Sequence, residues 1–321
     1  LQFEALAAGG CVVFDFDLDT GMARDFRAVL GGTLQNCAGG TTPRGTWLSC
    51  EEMTFDPATG FDDKGRQRPE LHKPHGYVFE VFPDGIRAPE LIRGMGLFKH
   101  EAAATDPATG IVYLTEDGRG PSGFYRYLPL DPARLSPGGA LQMLAVKGRA
   151  DLRKGVPVDV HWVPIAESER LKPDPNLQGA AVAEQGLALG ASGFARLEGC
   201  HIHGDTIFFT STSGGDLGHG QIWAYRPREA TLSLVFEAKS LQALDYPDNL
   251  CVTPRGALLI NEDNDSSNPQ RMVGMDMDGR TFAFAESNVV LAGERGFTGD
   301  FRYEEWCGVC FSPDGRWLFA N

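Results

Sequence analysis

DNLCVTPRGALLINED, residues 248–263, reads as two short strands around a Pro-Arg-Gly turn, opened by Asp248 and closed by the acids Glu262 and Asp263. Apolar and β-branched residues flanking a Pro/Gly turn are the signature of a β-hairpin. The same frame recurs upstream as CAGGTTPRGTWLSCEE (37–52), EAAATDPATGIVYLTED (101–117) and EGCHIHGDTIFFTSTS (198–213), and downstream as CGVCFSPDGRWLFAN (307–321). The opening and closing polar residues stand 14 or 15 positions apart (37 to 51, 101 to 116, 198 to 212, 248 to 262, 307 to 321). A hairpin that returns along a whole chain indicates a repeat architecture.

A third and fourth strand follow each hairpin: HGYVFEVFPDG (75–85) with APELIRG (88–94), GFYRYLPLD (123–131) with LQMLAV (141–146), QIWAYRP (221–227) with LSLVFEA (232–238), and RMVGMDMDG (271–279) with TFAFAES (281–287). Four antiparallel strands per repeat make the unit a propeller blade. The last copy stops after two strands, while CVVFDFDLDTG (11–21) and ARDFRAV (23–29) supply a third and a fourth. The sequence therefore predicts an all-β fold, a β-propeller of four-stranded antiparallel blades in one domain over 1–321. Five blades are countable, the N- and C-terminal strands sharing one and closing the ring. A sixth has room in the interval from 101 to 198, but NLQGAAVAEQGLALGAS (176–192) is rich in Ala and Leu without strand alternation. That composition predicts an irregular or partly helical insertion at about 151–197.

A chain of 321 residues with 42% hydrophobic content buries a large core, and its 40 Gly and 20 Pro punctuate apolar runs as many tight turns require. The net charge of -14, with no basic stretch, repels a phosphate backbone and excludes nucleic acid as an expected partner. No run approaches eighteen apolar residues, so no transmembrane helix is expected. Seven cysteines, an odd number lying mostly in strand patterns, read as buried thiols and not as a disulfide framework. The first residue is Leu, so the sequence leaves open a preceding segment and with it the compartment.

In a propeller the first strand of every blade lines the central channel, which brings Cys37, Glu101, Glu198 and Asp248 face to face. Burying three unpaired carboxylates beside a thiol is costly, and bound cations are the simplest remedy. Carboxylate oxygens suit calcium or magnesium, and a thiolate among them suits a transition metal such as iron or zinc. The strand ends add the pairs Glu51–Glu52, Glu116–Asp117 and Glu262–Asp263, oxygens enough for several ions; the alternative is acids in solvated turns. Arg196, two residues before Glu198, carries a fork suited either to a phosphate oxygen or to neutralising its neighbours. His201 and His203 are secondary candidates, and His100 is expected to point away from Glu101. Cys307 shares the register but lies in an apolar run and is assigned to the core. There is no Walker A sequence and no G-x-S-x-G elbow, and the CxxC of Cys307 and Cys310 has no partner.

The segments NCAGGTTPRGTWLSCEE (36–52), FKHEAAATDPATGIVYLTED (98–117), RLEGC (196–200) and PDNLCVTPRGALLINED (247–263) resemble, in the family's order, the PhoX family of bacterial alkaline phosphatases and its shorter relatives of unassigned function. The resemblance implies a propeller that holds ferric iron and calcium in its channel and cleaves phosphate esters. It implies that Cys37 binds iron, that Glu101, Glu198 and Asp248 bind metal, and that Arg196 contacts phosphate, with Arg196 and Glu198 as the expected catalytic residues. The expected cofactors are Fe3+ and Ca2+, the expected partner is a small-molecule phosphate ester, and the implied compartment is periplasmic or extracellular. The chain departs from the family at Arg44, where tryptophan is usual, and in RLEGC, where the long enzymes carry R-P-E-W. Two other readings compete: a calcium-dependent lactonase-like hydrolase built on Asp248 and Asn249, and a non-catalytic, metal-stabilised interaction propeller.

Overall fold

Alternating apolar side chains on short strands, broken at Gly and Pro, produce antiparallel sheets throughout the computed structural model, which describes residues 2–118, 120–148, 154–171, 181–264 and 268–321. Strands β1 (Gly9–Asp17) and β2 (Met22–Thr33) pair as a long hairpin. Next come β3 (Gly40–Thr41) and β4 (Trp47–Cys50), the small pair β5 (Phe55–Asp56) and β6 (Phe61–Asp62), then β7 (Val78–Val81) and β8 (Glu90–Leu91). Of these, β3, β4, β7 and β8 form one four-stranded sheet in that order.

A second run consists of β9 (His100–Thr105), β10 (Val112–Glu116), β11 (Phe124–Asp131) and β12 (Arg134–Val146). It is followed by β13 (Val158–Pro164), helix α1 (Ala181–Ala188), and a third run of β14 (Leu197–His203), β15 (Thr206–Ser211), β16 (Gln221–Arg226) and β17 (Thr231–Glu237). Strand β13 pairs with β12 on one side and with β17 on the other, so the two runs fuse into one nine-stranded sheet. The described part of the 151–197 interval thus contributes a strand as well as a helix; 151–153 and 172–180, including the start of the Ala/Leu-rich stretch, lie outside the described residues. A fourth sheet holds β18 (Pro247–Val252), β19 (Leu258–Glu262), β20 (Arg271–Met275) and β21 (Thr281–Glu286) in sequence order. Hairpins β22 (Val290–Ala292)–β23 (Thr298–Asp300) and β24 (Cys310–Phe311)–β25 (Leu318–Phe319) complete the chain. Among the described residues no helix is long and apolar enough to cross a membrane.

The core lies between the sheets. Leu48, Val78, Leu114 and Tyr125 join the first to the second run, Tyr113, Phe124, Phe209 and Trp223 the second to the third, and Phe208, Ile222, Leu250 and Ile260 the third to the fourth. Neighbours Phe208 and Phe209 enter different clusters because successive strand residues face opposite sides. Each such fully buried side chain contributes about 1.5–3 kcal/mol. The opening strands β3, β9, β14 and β18 lie side by side in that order. Their approach is close enough to demand glycine: a Cβ on Gly40 would stand 1.7 Å from the Ala103 carbonyl oxygen, and one on Gly199 2.7 Å from that of Asp248. At the two ends of the chain, Trp317 Nε1 donates to the Leu18 carbonyl at 2.8 Å, Arg316 pairs with Asp19 at 3.1 Å, and Phe16 packs edge-on against Trp317 and Phe319, so the first and last hairpins are in contact.

Candidate metal centre

One backbone device repeats at the head of four of the units. The amides of Glu52, Asp117, Thr212 and Asp263 donate to the carbonyls of Gln35, Lys99, Arg196 and Tyr246 at 3.0, 3.2, 2.8 and 2.9 Å, tying the end of each second strand to the chain just before the first. Gln35, Arg196 and Tyr246 are left-handed, with φ of 39°, 48° and 50°, and each stands two residues before an expected ligand: Cys37, Glu198 or Asp248. A left-handed non-glycine residue costs about 1 kcal/mol or more and is retained where the surrounding structure needs a sharp redirection. Here the bend redirects the chain just before the expected ligand.

The ladder then decides which acid of each pair faces the centre. Glu51 bridges to Asn36, Glu116 to His100 and Glu262 to Pro247, each the residue before an expected ligand. A shift of one residue reverses the face, so these three glutamates point away from the cluster and the expectation that they hold metal is corrected. Glu51 Oε1 accepts the Leu34 amide at 2.8 Å and lies 2.7 Å from His75 Nδ1, while its Oε2 accepts the amides of Gly76 and Tyr77 at 2.8 and 3.1 Å. Glu116 accepts from the Gly123 amide and the Tyr125 hydroxyl, and Glu262 from the Asp245 amide and both Nε and Nη2 of Arg271. All three are engaged by donors from outside the cluster. Glu51→Ala leaves those donors buried and unpaired, so it is expected to cost about 3–5 kcal/mol, seen as an equal fall in melting temperature with and without chelator.

The second acids, Glu52 and Asp263, turn the other way and meet the opening strands. Three groups of side chains offer donor atoms all within 4.8 Å of one another: Cys37, Glu52 and Glu101; Glu101, Glu198 and Asp248; Asp248, Asp263 and Glu305. Glu101 and Asp248 each belong to two groups. Glu305 was not expected, although its place two residues before Cys307 repeats the offset of Gln35, Arg196 and Tyr246 and was the available signal. The Cys37 thiol donates to Glu101 Oε2 at 3.0 Å, and Asn249 Nδ2 donates to Asp248 Oδ1 at 2.5 Å.

Two cations cross the cluster. Lys99 Nζ lies 2.8 Å from Asp117 Oδ2 and 3.2 Å from Glu52 Oε1; Arg196 holds Asp117 Oδ1 through Nε at 3.0 Å and Glu198 Oε1 through Nη2 at 2.8 Å. Asp117 thus serves the two cations and belongs to none of the three donor groups. The Arg196 side chain remains 34% exposed, which leaves it accessible from solvent. His201 and His203 are in none of these groups, and His100 turns away, its Nε2 3.1 Å from the Gly96 carbonyl.

Burial and crowding set the charges. Burial, then the nearby Glu198 and Cys37, push Glu101 well above the usual carboxylate range. Burial and Asp117 push Glu198 up to about 8 against the pull of Arg196. Burial, Glu198 and Glu305 raise Asp248, and burial with Asp248 and Glu52 raises the Cys37 thiol. For Asp117 burial acts upward, but Lys99 and Arg196 outweigh it and hold the carboxyl below its ordinary value. A carboxyl whose folded pKa is raised stabilises the fold fully below the unfolded pKa, about 4.3, and loses that contribution as pH climbs through the folded value. Chelator-treated protein is therefore expected to melt highest near pH 5 and progressively lower toward pH 8.5, in a thermal scan across that range, and divalent or trivalent cations should abolish the decline.

A family model described as alkaline phosphatase PhoX matches residues 14–321. Among solved structures, Pseudomonas fluorescens PhoX in complex with vanadate, a transition state analogue, superposes with a TM-score of 0.65 at 22% identity, over 100% of this chain and 69% of that one. TolB from Acinetobacter baumannii (TM-score 0.46, 13% identity, 96% of this chain and 53% of that one) and a family AA12 carbohydrate-active enzyme of Trichoderma reesei (0.47, 11%, 87% and 76%) are more distant. No curated protein matches. With the family model spanning nearly the whole sequence, the chain belongs to the alkaline phosphatase PhoX family.

Proposed function

We propose that this phosphatase hydrolyses small phosphomonoesters with the help of metal ions held by Cys37, Glu52, Glu101, Glu198, Asp248, Asp263 and Glu305, and that its four-stranded sheets are propeller blades around that centre. The observation that carries the reading is the overlap of three donor groups through Glu101 and Asp248, which with Glu198 are buried at the heads of the opening strands. Their chemistry fits cations: carboxyls whose pKa values are raised by burial and by neighbouring acids are relieved by positive charge between them. The two all-oxygen groups suit Ca2+, and the group containing Cys37 suits Fe3+. Such ions would polarise phosphoryl oxygens and strengthen an oxygen nucleophile.

The chain's own part is positioning and charge balance. Arg196 is fixed by Asp117 and Glu198 through Nε and Nη2, and its Nη1 makes no hydrogen bond among the described residues, so the fork can present a donor to an incoming phosphoryl oxygen. As negative charge builds on the transferring group, that preorganised guanidinium stabilises it without reorganising. Lys99, pinned between Glu52 and Asp117, holds the opposite side of Asp117 and thereby the tilt of the arginine. The test is elemental analysis of protein purified without chelator, with p-nitrophenyl phosphate turnover on the same sample. Iron and calcium together with turnover are the expected result; calcium alone with lactone opening, or neither metal and no ester turnover, overturns it.

A further inference from the structure

A cavity of about 430 Å³ lies between the second and third runs of strands, away from the acidic centre. Glu101 and Glu198 stand at the heads of β9 and β14, whereas the cavity is lined by Asp106 to Thr109 after the end of β9 and by Gly204 and Asp205 after the end of β14. From Glu101 to Asp106 an extended chain covers about 16 Å. The two places are therefore at opposite ends of the same strands.

Arg126 on β11 gives this cavity its character. Its Nε donates to Gln142 Oε1 at 2.8 Å and its guanidinium lies over the Trp162 ring at 4.6 Å, so the group is held by a hydrogen bond and by stacking. Yet it makes no ion pair among the described residues, in a protein of net charge -14 in which the partly buried Arg68, Arg196 and Arg271 each hold a carboxylate. Burial depresses its pKa, partly offset by Tyr225 and Tyr113 beside it. The Tyr225 hydroxyl accepts from Trp162 Nε1 at 3.2 Å and keeps its own proton to donate. Two acids also line the cavity. Asp106 is committed to its own turn, accepting from the Ala108 amide and the Thr109 hydroxyl, while Asp205 sits on an exposed turn and accepts from the Thr206 hydroxyl at 3.4 Å.

We propose that this cavity is a second ligand site that takes a small organic carboxylate with an aromatic or apolar body. The Arg126 fork receives the carboxylate in the planar, two-pronged geometry that guanidinium favours, and Ile111, Ile202, Pro227 and the tyrosine rings cover the body. The volume is within the range of small-molecule pockets, which combine apolar walls with a few fixed polar groups.

The test uses the metal-loaded protein, 2-naphthoate as probe and neutral 2-naphthamide as control, followed by calorimetry and tryptophan fluorescence. Naphthoate is expected to bind at least about tenfold more tightly than naphthamide, and Arg126→Gln to weaken it by about tenfold or more. Arg126→Lys, which keeps the charge without the fork, should fall between, with p-nitrophenyl phosphate turnover unchanged in both variants. If Arg126→Gln melts too low to assay, Arg126→Lys and Tyr225→Phe carry the comparison. Equal naphthoate affinity in parent and variants, no binding at millimolar concentration, or competition between naphthoate and p-nitrophenyl phosphate each overturns the proposal.

Discussion

Asp248→Asn is expected to abolish measurable phosphatase turnover, a loss of about 10³-fold or more, and to lower the metal content by more than one ion per chain. The reason is its position: Asp248 is shared by the group of Glu101 and Glu198 and by that of Asp263 and Glu305, so one lost carboxylate weakens two sites at once. Glu101→Gln should behave alike, because Glu101 is shared by the other adjoining pair of groups, whereas Glu305→Gln touches a single group and should leave the rest loaded. The stability effects run in opposite directions. In chelator-treated protein Asp248 is a buried carboxyl raised by its neighbours, so the amide removes a repulsive charge and raises the melting temperature; in metal-loaded protein the same change removes a ligand and lowers it. Elemental analysis, turnover and paired melts check all of this on one preparation. A variant that keeps its metals and its turnover would sink the assignment of Asp248.

How the centre could be read in advance depends on what each residue has to do. The expected ligands were legible because Cys37, Glu101, Glu198 and Asp248 head strands of one repeating frame, and the structure places Glu101, Glu198 and Asp248 in one group of donor atoms and Cys37 in an adjoining group that shares Glu101. The acid pairs were legible only as pairs. A spacing of 14 suggests that Glu51 stands opposite Cys37, but the bridge is to Asn36, and that single residue of register sends Glu51 to the Leu34, Gly76 and Tyr77 amides and leaves Glu52 for the centre. Nothing in the side chains of Gln35, Arg196 or Tyr246 announces positive φ, a conformation that favours Gly and Asn; it accompanies the carbonyl each presents to the end of its own unit's second strand, a bond that Lys99 makes without it. Strand β13 was illegible for a related reason. Its partners, β12 and β17, are supplied by two different repeats, so a local reading of residues 158–164 sees only a short alternating stretch. Arg126 likewise looks like an ordinary strand arginine until the missing ion pair is noticed.

Arg196→Ala is expected to keep its metals and to lose about 10²–10³-fold in kcat, with a smaller change in KM, because the guanidinium acts on charge that appears only as the phosphoryl group transfers. Its side chain is not among the donor groups, so elemental analysis should match the parent. Arg196→Lys should recover only part of the loss, since a single ammonium cannot hold Asp117 and Glu198 and still offer a further donor in the plane of a fork. The backbone supplies an internal control. At φ of 48°, alanine inherits the strain that arginine bears, while glycine adopts that conformation freely, so Arg196→Gly should melt above Arg196→Ala by an amount corresponding to about 1 kcal/mol and show the same loss of kcat. That pairing separates chemistry from folding: a turnover defect that tracked stability would be partly rescued by glycine, and one caused by the missing fork would not. If either variant cleaves p-nitrophenyl phosphate as fast as the parent, Arg196 does no more than neutralise Asp117 and Glu198.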